Sequence, residues 1–133
     1  MSGPFFAVAL STLATASSGV TADGMKSIAY GCGDVVVVGA VRNVEGVWEH
    51  VEIEGDFLGH GWATAYVRIK HVLRGNGARA SVYARYSDHT YRAFARGQQY
   101  LLVLQPRNDR TYTIRSIQRW SSETRSKLAR TCT

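Results

Sequence analysis

Little in this chain marks an enzyme or a membrane protein. Its 133 residues include two cysteines and two prolines. There is no Gly-x-Ser-x-Gly, no His-Glu-x-x-His, no Cys-x-x-Cys and no glycine-rich loop leading into a helix, the short patterns that place a nucleophile, a zinc ion or a phosphate. No apolar run approaches the roughly 20 residues that cross a bilayer. These absences favour a noncatalytic protein with no cofactor and no membrane span, although an active site built from scattered residues leaves no such trace.

Charge is missing from one region altogether. Residues 1–22 carry no charged side chain, and the apolar stretch at 5–10 gives way to Ser, Thr, Ala and Gly. This reads as a secretory signal without its basic start, with Ala14-Thr15-Ala16 or Val20-Thr21-Ala22 as small-residue cleavage sites. Residues 23–133 then form one domain, secreted or periplasmic, long enough to bury a core. In an exported chain, one cysteine near each end of the mature domain, Cys32 and Cys132, favours a bridge over two unrelated thiols. Closing a loop of about 100 residues would stabilise the fold by about 4–5 kcal/mol in the chain-entropy account.

The overall charge of +6 hides a split. Residues 1–67 hold two basic side chains against seven acidic ones, a net of −5, and residues 68–133 hold fourteen against three, a net of +11. Such polarity either steers an anionic partner to the second half or lets the two halves attract each other.

The hydrophobic pattern has period two almost throughout. Residues 34–44 open with a valine run suited to a strand covered on both faces. Residues 47–57 alternate, placing Val47, Val51, Ile53 and Phe57 inward and His50, Glu52, Glu54 and Asp56 outward. A third strand sends Ala63, Ala65, Val67, Ile69 and Leu73 inward and Thr64, Tyr66, Arg68 and Lys70 outward. Gly75-Asn76-Gly77 signals a hairpin into a strand that buries Ala80, Val82, Ala84 and Tyr86 and exposes Arg79, Ser81, Tyr83 and Arg85. Residues 98–105 form a short apolar strand ended by Pro106. In the strand at 111–120, Tyr112, Ile114 and Ser116 oppose Thr113, Arg115, Ile117 and Arg119. Residues 121–132 read as a helix capped by Ser121 or Ser122, with Glu123 early and Arg125, Lys127 and Arg130 late. The expected architecture is mainly β, a barrel or sandwich of five or six strands with a C-terminal α-helix.

The segments CGDVVVVGAV, YVRIKHVLRG, SVYARY and ARGQQYLLVL, spread over residues 32–120, resemble the netrin-like module, the OB-type barrel shared with tissue inhibitors of metalloproteinases and with exported bacterial proteins. Leu73-Arg74-Gly75 and the spacing of Gly97, Tyr100 and Leu101 carry the likeness best. The resemblance implies a five- to six-stranded OB-type barrel, a binding or inhibitor-like role toward a protein partner, and a bond from Cys32 to Cys132 that pins the terminal helix. It does not bring the zinc-chelating amine of the metalloproteinase inhibitors, because either cleavage site leaves residues ahead of Cys32.

Three groups of polar residues are candidates for chemistry. His50, Glu52, Glu54 and Asp56 follow one another at about 6.6 Å on one strand face, so His50 and Glu52 are weak candidates for a metal or for hydrolysis against the plainer reading of a solvated face. His71 falls on an apolar side and reads as a buried, hydrogen-bonded histidine, whereas His60 and His89 read as loop residues. Tyr66, Arg68, Lys70, Arg79, Tyr83 and Arg85 form the candidate binding face, with Arg115 and Arg119 as possible neighbours. Rings interleaved with guanidinium groups suit single-stranded nucleic acid or another anionic polymer, the alternative to a protein partner. Arginines that merely solubilise and blunt exposed strands are the plainer reading.

Overall fold

A run of four valines can be wet on neither face, and its burial organises the chain. The structure, a computed structural model, describes residues 26–56, 59–77, 79–88 and 92–132; the expected signal segment, Phe57 and His89 lie outside these. Among them the chain order is β1 (Ile28–Tyr30), β2 (Val35–Val51), β3 (His60–Arg74), β4 (Ser81–Asp88), β5 (Tyr100–Pro106), β6 (Tyr112–Arg119), α1 (Ser122–Ser126) and β7 (Leu128–Arg130). Strands β2 to β6 close into a barrel of spatial order β2-β3-β4-β6-β5, and β1 pairs with β7 outside it. Barrel neighbours are antiparallel except at the β4–β6 seam, which is parallel and joins Ala84 to Tyr112 and Arg85 to Thr113. No helix among the described residues is long and apolar enough to cross a membrane.

Val35 and Val37 face the barrel interior with Leu102 and Leu104. Val36 faces outward with Leu101 and Val103, where Ile28, Tyr30, Trp120 and Leu128 cover it. Both runs are therefore dry on two sides, at about 1.5–3 kcal/mol for each fully buried aliphatic side chain. Small residues, Ala63, Ala65 and Ala84, line part of the interior and leave room for the rings of Tyr86, Phe94 and Tyr100, which meet edge to face at 5.9 and 5.5 Å. These rings hold the segment 92–97 against the barrel. The Ala95 amide donates to the Tyr100 hydroxyl, and the Arg92 amide to the Tyr86 hydroxyl. Tyr86 donates in turn to Asn43, whose amide donates to the Arg92 carbonyl.

The outer cover is tied down covalently. Cys32 and Cys132 are bonded across a separation of 100 residues, next to the rungs that join Ile28 to Leu128 and Tyr30 to Arg130. The bridge fits a non-cytoplasmic setting. It pins a strand, whereas the sequence pattern predicts a helix over 121–132. Only Ser122–Ser126 is helical, capped by the Ser121 hydroxyl accepting from the Thr124 amide. A longer helix would leave the β1 backbone without a partner and lift Leu128 off the apolar cover.

Four further expectations are corrected by register. The strands expected at 34–44 and 47–57 are one, β2, which ends at Val51 opposite His60; Ile53 lies beyond that last rung and is 52% exposed. His71 is exposed, because β4 pairs with β3 only as far as Arg68, opposite Ser81, and bulges in β2 interrupt the alternation nearby. Ala80 is exposed just ahead of β4. Ile117 packs against the interior cluster, since the register shift between Val103 and Leu104 skips Arg115 and inverts the faces of β6 after it.

Gly39 marks the tightest crossing: a Cβ there would lie 2.2 Å from the Arg68 carbonyl oxygen. Gly39→Ala is expected to lower stability by about 1–3 kcal/mol, read as a lower denaturant midpoint at unchanged slope. Replacing both cysteines by serine is expected to cost about 4–5 kcal/mol, read by chemical denaturation of the oxidised protein beside the double variant; a loss near zero would mean that the covering strands hold without the bond.

Candidate binding face

Alternation on β3 and β4 sends Trp62, Thr64, Tyr66 and Arg68 to the same outer surface as Ser81, Tyr83, Arg85 and Ser87. Antiparallel register sets Tyr66 directly opposite Tyr83, and their rings meet edge to face at 5.4 Å. On the other flank β2 sets Arg42 opposite Tyr66 and Ala40 opposite Arg68. The Arg42 guanidinium lies over the Tyr66 ring at 4.6 Å, and that of Arg85 over the Trp62 ring at 5.0 Å. Such stacking orients a planar guanidinium while leaving its N–H fork free to bind. Arg85 also donates to Glu49 at 3.0 Å. Tyr83, 52% exposed, is the most open ring.

Of the six residues expected on this face, Tyr66, Arg68, Tyr83 and Arg85 are brought together. Lys70 lies further along β3, past its last rung with β4. Arg79 sits outside the strand and lines a separate groove of about 280 Å³ with Arg107 and Arg110. Arg115 is drawn away to the buried carboxylate of Asp34, which also accepts from the Gly31 amide. Arg119 lies opposite Tyr100. The charge split along the chain is thus partly internal, since Asp34 with Arg115 and Glu49 with Arg85 join the acidic half to the basic one. Arg42 and Trp62 complete the face without having been singled out from sequence. Alternation marks both as outward, but only cross-strand register reveals the partners Tyr66 and Arg85.

The acidic strand end is organised differently. Asp56 is hydrogen-bonded to His60 Nδ1 and accepts from the Gly59 amide at 3.1 Å, where Gly59 has φ +77 and the His50 ring lies alongside. Glu52 and Glu54 fall beyond the end of β2. Among the described residues no three His, Cys, Asp or Glu side chains are grouped to hold a metal ion.

No protein-family model, curated protein or solved structure matches this chain. The geometry of the face therefore carries the functional argument.

In the turn between β5 and β6, the Thr111 hydroxyl, then the Thr111 amide and the nearby Arg107, hold the Asp109 carboxyl below its ordinary value of 3.8. A lowered folded-state pKa gives a contribution present above the unfolded pKa and lost as pH falls through the folded one. Thr111→Val is expected to move the Asp109 midpoint upward in a carboxylate NMR titration, the direction that loss of a hydroxyl donor requires.

Proposed function

We propose that this protein is an exported, noncatalytic binding module, an OB-type barrel of netrin-like kind, whose β2–β3–β4 face takes an acidic protein partner. Export is supported by the charge-free leader at residues 1–22 together with a disulfide of the type kept in oxidising compartments. The OB-type reading is supported by five closed strands with a single parallel seam.

The observation that carries the choice of partner is the covering of the rings by arginine. Arg42 occupies one side of Tyr66, and Arg85 lies over Trp62. A platform for bases needs bare ring faces, whereas here a guanidinium lies on each of two rings, Arg85 already bonded to Glu49 and Arg42 exposed with a fork suited to a carboxylate. The exposed Tyr83 ring favours a second reading, single-stranded nucleic acid, and makes the two separable.

Binding is expected to an acidic polypeptide such as polyglutamate, weakening with salt and falling at least tenfold in an Arg68→Ala, Arg85→Ala double variant. Tyr83→Ala should leave that binding within about twofold. If single-stranded DNA binds more tightly, and Tyr83→Ala costs it the roughly 1–3 kcal/mol of a lost stacking contact, the protein-partner reading fails. Titration calorimetry at two salt concentrations decides the matter.

A further inference from the structure

Beside the face, between the outer surface of β2–β3 and the segment 92–97, lies a groove of about 460 Å³ lined by Arg42, Arg68 and Arg96 together with Tyr66 and Phe94. We infer that this groove is a binding site for a small amphiphilic anion, a phosphate or carboxylate head carried on an apolar body. The site goes beyond the macromolecular reading and stands without it.

Three arginines line a single concavity, and among the described residues none of them is paired with a carboxylate. Like charges gathered around a concave, partly apolar surface repel one another and focus a positive potential, which an entering anion relieves. Four other arginines have carboxylate partners, Arg85 with Glu49, Arg92 with Asp88, Arg107 with Asp109 and Arg115 with Asp34; the groove's distinction is that three arginines unpaired among the described residues share a lining with Tyr66 and Phe94.

The walls are held in place before any ligand arrives. Arg42 is stacked on Tyr66, and Phe94 is gripped between the rings of Tyr86 and Tyr100. Gly97, at φ +81, turns the chain immediately after Arg96. Ala40, opposite Arg68 in the β2–β3 register, contributes only a methyl group to the lining and so leaves the space open. The volume falls in the range of small-molecule sites, about 300–1,000 Å³. Arginine forks suit a phosphate or carboxylate head bidentately, and the Tyr66 and Phe94 rings suit an apolar body.

The test titrates the full-length protein with phenyl phosphate, phenylacetate, inorganic phosphate and benzyl alcohol, followed by calorimetry and by the ring resonances of Phe94 and Tyr66. At least one of the two aryl anions should bind tenfold or more tighter than both inorganic phosphate and benzyl alcohol, and whichever aryl anion is tighter identifies the head group. Arg96→Ala and Arg42→Gln should each weaken it at least tenfold, with unfolding midpoints confirming that both variants fold; Arg96 is exposed and makes the cleaner one. Aryl anions that bind no better than inorganic phosphate, or binding unchanged in folded Arg96→Ala, would overturn the assignment. Arg42 and Arg68 belong to both the groove and the β2–β3–β4 face, whereas Arg96 lines the groove alone, so loss of aryl-anion binding in Arg96→Ala with polyglutamate binding retained separates the two sites.

Discussion

The barrel depends on two short apolar segments pressed against each other, Val35–Val38 and Leu101–Leu104, every one of which is at most 3% exposed. Antiparallel rungs set Val35 opposite Leu104 and Val38 opposite Leu101, so alternate side chains of each segment enter the interior while the rest point outward. An outward row of valine and leucine cannot be left in water without losing much of what its burial contributes. The chain answers with a second layer, β1, β7, Trp120 and Leu128, fastened by the bond between Cys32 and Cys132. Core, cover and crosslink are consequences of one requirement.

The same pairing sets the candidate binding face. Once β2 is held in register by β5, its continuation lies against β3, and Arg42 must stand opposite Tyr66. β3 then positions Tyr66 against Tyr83. The interior contributes too, because Phe94 fits between Tyr86 and Tyr100 only where alanines leave space, and that insertion brings Arg96 up to the β2–β3 surface. A surface of guanidinium groups held on rings is thereby built on rigid strands rather than on free loops, which lowers the entropy lost on binding.

Much of the strand pattern was legible in the residues. Alternation in β3 marked Ala63, Ala65 and Val67 as interior and Tyr66 and Arg68 as exterior, the valine run at 35–38 signalled two-sided burial, and the apolar run at 98–105 signalled a strand. Legibility failed wherever a strand outlasted its neighbour or slipped register. Ile53 and His71 carry an inward pattern, but Ile53 lies past the end of β2 and His71 past the last rung of β3 with β4, and Ile117 changes face after a bulge. Residues 128–130 join a strand because β1 offers an open edge, a partner a hundred residues away that no local propensity encodes. The face was half visible for the same reason: outward positions can be counted along a strand, but Arg42 over Tyr66 and Arg85 over Trp62 exist only across strands.

Taken alone, the sequence determined that this chain would be a mainly β domain with a basic second half, which side chains share a face where a strand alternates without interruption, and that two cysteines stood at its extremities. Tertiary structure decided which strands touch, where bulges invert a face, which arginines are spent on Asp34 and Glu49, and which remain around the groove. The division has a physical basis. Side-chain direction along a strand is set by the backbone of that strand, whereas register, cover and charge pairing arise from contacts between segments far apart in the chain.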